Sequence, residues 1–459
     1  MKQRRHAKLP HHEAKTAMQA KTEEALEEFW KWVEETPAAT LTQIEDAVLQ
    51  FRQRVGQAMA QAAIQVQAAV QPAPGPQCPH CGKEMQLKGT KDKTITARVG
   101  DVDLERSHYY CPHCKEGLFP LDEQLHVWDG SCSEEVAKLS VWLCGQVTAE
   151  NAETILEKLG GIVFSDSSIW RRVQTWGAKM RAQESLERAA ASAVPPQGSV
   201  APPAKTLPKE MGVAMDGVLI PLRKEGFKEL KVGNVFDIAH RMETDAESGE
   251  VIECAHAVHN SYTAVLGGPE AFGQALWAEA CRREFSHARD NIVIGDGALW
   301  IWNLTQEHFG HSRQVVDWYH ATEHLHKAAH LVWGEGSPDA IRWAKGMEKP
   351  LYQGQAWQVA EQIRELATAH PHAAKELQAE AGYFENNRRR MQYLELREDG
   401  FPIGSGMVES GCKQYRARFN GPGMRWSRTG AEHLIPIRTA ILSSRFDERW
   451  ACVSKSPPN

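Results

Sequence analysis

One short segment organises this sequence: Ile403-Gly404-Ser405-Gly406-Met407-Val408-Glu409-Ser410-Gly411-Cys412-Lys413. It holds a single acid, Glu409, among glycines and serines that are too small to block a ligand. From residue 411 to 428 the chain has five basic residues and no acid. If residues 405–419 form a helix, Glu409, Lys413 and Arg416 share one face. A lone acid on a basic face suits a metal ion that meets a polyanion, although Glu–Lys pairs at this spacing more often only support a solvated helix.

The overall composition is that of a soluble globular protein with more than one domain. The chain has 459 residues, of which 42% are hydrophobic and 24% charged. No run of about 18 apolar residues is present, and the basic N-terminal segment lacks an apolar leader. We therefore expect a cytoplasmic protein without a membrane partner. The net charge of −6 does not itself indicate nucleic-acid binding, because local basic patches decide such binding.

Residues 1–75 are predicted to form a helical arm and its linker. Apolar residues recur at helical intervals over 41–51, and Thr40 with Gln43 has the spacing of a capping box. A proline-rich run at 71–76 ends the arm as a stiff linker. We interpret the arm as a simple helical or oligomerisation element.

Two Cys-x-x-Cys pairs, about 30 residues apart, give the clearest metal signal in the chain. The four thiols are Cys78, Cys81, Cys111 and Cys114. Between the pairs, residues 94–99 and 102–106 alternate as short strands around a predicted hairpin turn at Gly100-Asp101. We therefore predict a zinc ribbon at 76–128 with a closed, structural Zn²⁺ site. The alternatives are four unrelated cysteines or a redox pair.

Residues 129–188 are predicted to be helical. A short amphipathic helix at 152–159 ends at a glycine pair, and a run of serines caps the next helix. This pattern is typical of a helix-turn-helix DNA-binding domain, with Arg171 and Arg172 near the start of the recognition helix. Any small three-helix bundle has the same pattern, which is the alternative interpretation. The Ala-, Pro- and Gly-rich run at 189–208 is predicted to be a linker.

Strand patterns begin after this linker. Strands are predicted at 212–221, 231–238, 291–298 and 314–320, the last running into a helix. We therefore predict a core built from residues 209–329 and 399–450, interrupted by a helical insertion at 330–398. A short tail follows at 451–459.

Two further acids complete a candidate metal site. Asp216 and Asp296 each end a run of apolar strand residues, and each is followed by a glycine that permits a tight turn. A charge in that position is costly unless it meets a cation, a partner or water. Together with Glu409, these acids offer three oxygen ligands to Mg²⁺ or Mn²⁺, the ions that serve phosphodiester chemistry. Either Asp-Gly pair alone is more typical of an ordinary turn.

Several motifs occur in a characteristic order. They are Asp216-Gly217, Gly295-Asp296-Gly297 with Trp300, Asp317-x-x-His320, Gly404-Ser405-Gly406 to Glu409-Ser410, and Gly423-Met424-Arg425-Trp426. In this order they resemble the DDE transposases of bacterial insertion sequences, in particular the ISKra-type family, which is akin to Mutator-like transposases. The resemblance runs from residue 212 to residue 450. It implies a ribonuclease-H-like core with an all-helical insertion before the last acid, and Mg²⁺-dependent strand cleavage and strand transfer.

The resemblance also assigns residue roles. It places the three catalytic, metal-binding acids at Asp216, Asp296 and Glu409, and it adds His320 as a candidate catalytic residue. Asp317 belongs to the same motif as His320, and helix capping is the alternative role for it.

Candidate DNA contacts are basic or aromatic. They are Arg171, Arg172, Lys413, Arg416, Arg418, Arg425 and Trp426. Arg425 and Trp426 offer a cation and a stacking plane for a splayed base, and a core Trp beside an exposed Arg is the alternative.

The sequence thus predicts a transposase that binds double-stranded DNA, both the terminal inverted repeats of its element and the target. Two ends must be held at once, so we expect a homodimer or a larger assembly in the cytoplasm, associated with the nucleoid. The alternatives are a domesticated, non-catalytic DNA-binding protein and a metal-dependent nuclease without strand transfer.

Overall fold

A computed structural model describes residues 9–72, 74–127, 131–196, 207–244 and 251–454. Within it the chain forms two compact units, Met1–Val173 with Ser454–Asn459 and Gln174–Val453. The predicted multidomain, mixed α/β class is confirmed, and helices predominate. Parts of the predicted linker and of the predicted tail lie outside the described residues. Over the described ranges, no helix has the length and apolar character required to cross a membrane.

The first unit opens with two long helices, α1 (His11–Glu35) and α2 (Leu41–Gln65). The predicted capping box is confirmed, because the Thr40 hydroxyl accepts from Gln43 N while the Gln43 side chain accepts from Thr40 N. Phe29 and Phe51 bring the two helices into contact with ring centroids 5.9 Å apart.

A three-stranded antiparallel sheet follows, with β1 (Gln86–Ala97), β2 (Gly100–Cys111) and β3 (Glu116–Leu118) in that order. The hairpin turn predicted at Gly100-Asp101 was wrong in position, because Gly100 already pairs with Ala97 and the turn lies at 98–99. Polar cross-strand pairs account for the longer strands. Asp101 accepts from the Thr96 hydroxyl at 3.0 Å, which keeps that acid in the strand.

Four helices complete the description of this part of the chain: α3 (Pro120–Gln124), α4 (Glu134–Gln146), α5 (Ala149–Gly160) and α6 (Asp166–Ala191). Gly161 ends α5 with a left-handed φ of 61°, as the glycine pair predicted. The Ser165 hydroxyl accepts from Ser168 N at 3.4 Å at the start of α6, which confirms the predicted serine cap. Two helices joined by a short turn are therefore present at 149–191.

The second unit contains a five-stranded sheet with the order β6-β5-β4-β7-β8. Its strands are β4 (Leu207–Leu222), β5 (Gly226–Thr244), β6 (Val251–Val265), β7 (Ala288–Gly295) and β8 (Arg313–Val316). Strand β5 is antiparallel to both β4 and β6, whereas β7 lies parallel to β4 and to β8. Parallel pairing brings the carboxyl ends of β4, β7 and β8 to one edge, where the candidate acids were expected.

Ten helices cover and extend this sheet. They are α7 (Pro269–Arg282), α8 (Leu299–His308), α9 (Trp318–Trp333), α10 (Pro338–Tyr352), α11 (Ala356–Ala369), α12 (Ala374–Asn387), α13 (Tyr393–Glu398), α14 (Gly406–Phe419), α15 (Arg428–Leu442) and α16 (Phe446–Ser454). The block predicted as helical at 330–398 contains α10 to α13, and α9 leads into it. Strand β6 and helix α7 were missed, because β6 mixes polar and apolar residues without clean alternation.

A glycine in β4 leaves room for a bulky side chain on the neighbouring strand β5. Gly212 pairs with Phe236, and a Cβ at Gly212 would lie 2.1 Å from the Phe236 ring, which is fully buried. This close approach requires glycine for space rather than for a special backbone angle.

We predict that Gly212→Ala destabilises the protein by about 1–3 kcal/mol, because an added methyl overpacks a closed core. Gly346→Ala is the matched control, since a Cβ at Gly346 in α10 meets nothing within 4 Å. That change should stabilise by about 0.5–1 kcal/mol. Chemical denaturation monitored by tryptophan fluorescence measures both, and equal stability of the two variants would contradict the packing argument.

Candidate active site and metal centre

Four cysteines converge in the first unit. Cys78 and Cys81 precede β1, whereas Cys111 ends β2 and Cys114 lies in the turn before β3. One sulfur atom from each lies within 4.8 Å of all the others, and no disulfide forms among them. Four thiolates at this separation can hold a metal ion such as Zn²⁺. The predicted ligands are therefore brought together.

The two Cys-x-x-Cys turns have the same backbone geometry. In each pair, the residue after the second cysteine has a left-handed backbone: Gly82 with φ 69° and Lys115 with φ 59°. Gly82 N donates to Cys78 O at 2.9 Å, and Lys115 N donates to Cys111 O at 2.8 Å. Backbone N–H groups at His80 and at Cys81 lower the pKa of Cys78 to about 6, which favours the thiolate that a metal requires.

Asp216 lies within β4, inside the strand predicted at 212–221, so the tight turn expected at Asp216-Gly217 is absent. Strand β4 remains paired with β5 as far as Leu222. Its parallel partner β7 ends at Gly295, and the register pairs Ala214 with Ile294. Two residues further along each chain, Asp216 and Asp296 therefore lie side by side at the point where β7 stops.

Gly217 also has a different role from the predicted tight turn. It is a strand residue whose missing side chain leaves room for Glu229, because a Cβ would lie 2.3 Å from Glu229 Oε1. The same residue donates its N–H to Asp216 Oδ1 at 2.6 Å. Gly217 thus positions the carboxylate directly.

Several neighbouring groups shift the pKa of the Asp216 carboxyl group in opposite directions, and the net shift is upward. Burial raises its pKa, and the negative charge of Asp296 raises it further. The Gly217 N–H and a hydrogen bond with the Cys412 thiol act in the opposite direction, as does His320. Two neighbouring carboxylates that repel each other are a favourable environment for a cation.

Asp296 begins a turn, as predicted. Its Oδ1 accepts from Ala298 N at 2.8 Å. Gly297 has φ +99°, and a Cβ there would lie 2.6 Å from the ring of Tyr383, so only glycine fits. The Tyr383 hydroxyl donates to Asp296 O at 2.9 Å. A residue of the helical insertion therefore fixes the loop that carries Asp296.

Tyr383 is itself held by a small network. His324 of α9 stacks on it with ring centroids 3.6 Å apart, and the His324 ring bonds to Glu380. Glu380 is buried and also pairs with Lys327 Nζ at 2.6 Å. Burial raises the pKa of Tyr383, with Asp296 adding to the effect, so the phenol remains a donor. Sequence reasoning missed this network, since a Tyr and a Glu in a helix give no signal of their own.

Asp317 acts as a structural clamp. One oxygen caps α9 by accepting from His320 N at 2.8 Å, and the other accepts from Ser405 N. The alternative of helix capping is thus confirmed for this residue. Its side chain is buried, and Trp318 N donates to Ile403 O at 2.9 Å beside it. The Asp-x-x-His motif and the segment before α14 are in this way joined.

His320 lies close to both candidate aspartates. Burial lowers its pKa, but Asp317, Glu323 and Asp296 outweigh this effect and hold it above the ordinary value. Its Nδ1 is 3.2 Å from Glu323 Oε2. A protonated imidazole beside Asp296 is suited to binding an anionic oxygen or donating a proton to it.

Glu409 lies on α14, which packs on β4. Cys412, three residues later on the same helix, bonds to Asp216. Burial and Asp216 raise the pKa of that thiol, and the charge of Glu409 adds to the effect. The Glu409 carboxylate is 54% exposed and is 2.7 Å from Lys413 Nζ. Gly411 does not clear a path for a ligand as expected, because it accommodates the Tyr262 ring at 2.5 Å from a Cβ.

The structure brings Asp216 and Asp296 together more closely than Glu409. Among the described residues, the four cysteines are the set of three or more potential ligands whose atoms all lie within 4.8 Å of one another. The Glu409 carboxylate pairs with Lys413, and its helix reaches Asp216 through the thiol of Cys412.

The candidate DNA contacts divide into exposed and buried residues. Exposed side chains are Arg171, Lys413, Arg416 and Arg425. Arg172 is 5% exposed, bonds to Ser131 Oγ and lies 5.7 Å from the Phe164 ring, so its predicted DNA contact was wrong. A buried guanidinium packs the helix and does not reach a phosphate.

The segment after α14 shows the same division. Arg418 is 3% exposed and lies 5.2 Å from the Trp426 ring centroid, so the DNA contact predicted for it was also wrong. Trp426 is half-buried, and its Nε1 donates to Phe419 O at 2.8 Å. The alternative of a packed Trp beside an exposed Arg425 therefore describes this pair.

We predict that purified protein contains one Zn²⁺ per chain and that Cys111→Ser loses it, because three thiolates no longer complete the tetrahedron. Elemental analysis measures the zinc content, and a thermal melt measures the stability. In Cys111→Ser, DNA binding should fall while the sheet of the second unit stays folded. Cys452→Ser, at an exposed cysteine, is the matched control. Folded wild-type protein without zinc would refute the metal site.

We also predict that Asp317→Asn destabilises the protein by about 1–3 kcal/mol, because the amide replaces one of two buried acceptors by a donor. Asp399→Asn is the control, since Asp399 forms an exposed pair with Arg313 at 2.6 Å. Denaturation midpoints compare the two, and an unchanged midpoint for Asp317→Asn would refute the clamp.

No known protein-family model matches this chain. The chain is 23% identical over 378 residues to a Streptococcus gallolyticus protein named UPF0236 protein in vanSb 3'region. The matched region covers 79% of this chain and 75% of that protein. The chain is thus similar to a protein whose name states no activity.

Proposed function

We propose that the protein is a DDE-type transposase that binds the ends of its insertion sequence and catalyses metal-dependent DNA strand cleavage and strand transfer. The observation that carries the proposal is the adjacency of Asp216 and Asp296, with the helix that bears Glu409 bonded to the same strand through Cys412. The mixed sheet, followed in the chain by a helical block that precedes α14, supports a ribonuclease-H-like core with an insertion.

The donor set fits a hard divalent cation. Asp216, Asp296 and Glu409 would hold Mg²⁺ or Mn²⁺, because carboxylate oxygens are the ligands that these ions prefer. The charge of Asp296 disfavours ionised Asp216, and a bound cation removes that penalty. Glu409 would exchange Lys413 for the cation at little cost, since an exposed ion pair contributes about 0–1 kcal/mol. When bound, the cations stabilise the charge of the phosphodiester during displacement and activate the attacking oxygen.

The chain's own groups bind and orient the DNA strand around this position. His320, whose acidic neighbours hold its pKa above the ordinary value, binds a phosphate oxygen when protonated or gives its proton to the departing oxygen. Lys413 and Arg416 are exposed on the same helix as Glu409 and contact flanking phosphates. Tyr383 and Asp317 act through Asp296 and through the segment before α14, so both are positioning residues.

Recognition of the element ends falls to the first unit in this proposal. The four-cysteine ribbon, with structural Zn²⁺, and the helices α5 and α6 with exposed Arg171 supply the DNA-binding elements. The protein acts on double-stranded DNA as a homodimer or larger assembly, in the cytoplasm at the nucleoid. One observation favours a second candidate, a non-catalytic DNA-binding protein: the Glu409 carboxylate pairs with Lys413.

We predict that Glu409→Gln abolishes cleavage while DNA binding persists or tightens. The amide keeps the size and helix propensity of the acid but removes a metal ligand, so cleavage should fall about a thousandfold or more. Lys413 and Arg416 remain to bind phosphates. The measurement is cleavage of labelled element-end DNA in Mg²⁺ or Mn²⁺ beside a binding assay, with Glu376→Gln on the exposed face of α12 as the control.

The outcomes separate the candidates. Wild-type cleavage followed by joining to a target duplex supports the transposase, whereas cleavage without joining indicates a nuclease. DNA binding by wild type with no cleavage in either metal indicates the non-catalytic protein. Near-normal cleavage by Glu409→Gln would remove Glu409 from the acids and leave Glu395 or Glu398 to be tested.

A further inference from the structure

The hairpin between β4 and β5 projects an exposed tip. Beyond Asp216, β4 pairs with β5 but no longer with β7, and every residue from 223 to 229 is exposed. The register places Leu219, Pro221 and Phe227 on one face of this ribbon. Leu219 is 55% exposed and Phe227 is 66% exposed. An apolar face of this kind in water indicates a partner.

The charges around the tip identify the chemistry of that partner. Four exposed cations lie on this tip or on the loop bonded to it: Arg223, Lys224 and Lys228 on the tip, and Arg425 on the loop. Arg223 Nε donates to Arg425 O at 3.0 Å, which ties the tip to the loop after α14. The two acids of the turn are already paired, Glu225 with Arg428 at 3.0 Å and Glu229 with Lys231 at 2.6 Å.

We propose that this hairpin tip is a DNA contact, in which the four cations bind phosphates and Phe227 inserts against a base. Cations that flank an exposed aromatic ring match a polyanion with stacked bases. A second copy of the chain would also bury Phe227, but it would not account for four cations. The inference rests on the proposed function, because it assumes a DNA substrate at Asp216.

The distance of the tip from Asp216 sets the length of DNA that the contact requires, which we call the register of the contact. Leu222 lies six residues beyond Asp216 along the strand, which at about 3.3 Å per residue is about 20 Å. At about 3.4 Å per base pair, this length corresponds to about six base pairs of duplex. We take the bound duplex to run along β4, so that DNA extending at least this far beyond the cleaved phosphate reaches the tip and shorter DNA does not.

The test uses Phe227→Ala and Lys224→Ala in the full chain, with two element-end duplexes. These end three and twelve base pairs beyond the phosphate that the wild type cleaves. On the longer duplex we expect about tenfold weaker binding for Phe227→Ala. For Lys224→Ala, the slope of log binding constant against log salt concentration should be smaller in magnitude by about one. On the shorter duplex both variants should match the wild type.

Two variants serve as matched controls. Met242→Ala removes an apolar side chain that is also 66% exposed, at the other end of β5, and Lys375→Ala removes an exposed cation on α12. Both should bind the longer duplex as the wild type does. Because all four positions are exposed, thermal melting should show four folded proteins.

Each remaining outcome is decisive. Wild-type binding of the longer duplex by both tip variants would overturn the hairpin contact and leave the transposase proposal intact. Equal losses on both duplexes would overturn the register. Loss of self-association in sedimentation, with DNA binding unchanged, would assign the face to a second copy of the chain. If the wild type binds neither duplex, and no random 24-base-pair duplex, the proposed function fails and the hairpin contact fails with it.

Discussion

The candidate site depends on the two oxygen atoms of Asp317. One oxygen accepts from His320 N and the other from Ser405 N, which is 88 residues away in sequence. Asp317 N also donates to Gly295 O at 2.8 Å, next to Asp296. A single buried residue therefore joins three segments: its backbone N–H bonds to the end of β7, and its carboxylate bonds to the start of α9 and to the segment that leads into α14. Because the helical insertion lies between these segments, the geometry of Asp296 relative to Glu409 depends on this clamp.

The insertion contributes directly to the site. Tyr383 fills the space left by Gly297 and donates to the carbonyl of Asp296, while His324 and buried Glu380 hold the ring from behind. A helical block that only enlarged the protein would have no need to reach this loop. Ordering these side chains costs conformational entropy. In return, the Asp296 carboxylate is held in a fixed position, which a cation site requires.

Electrostatics and packing assign different roles to residues that look alike in sequence. Asp216, Asp296 and Asp317 all follow apolar strand residues, yet two face each other and the third is saturated with backbone donors. Among the arginines after Glu409, Arg416 is exposed and Arg418 is buried near Trp426. A shift of two residues along the helix, about 200° around its axis, separates a candidate phosphate contact from a core residue.

Local chemistry in the sequence determined the features that require only near neighbours. The capping box at Thr40, the serine cap of α6 and the left-handed Gly161 depend on residues within a few positions, so their patterns were sufficient. The two Cys-x-x-Cys turns likewise contain most of their own geometry. The existence of β6, the burial of Arg172 and the placement of Asp216 beside Asp296 were decided by the tertiary structure. These features depend on which distant segment lies alongside, and a strand or an arginine carries no local record of its partner.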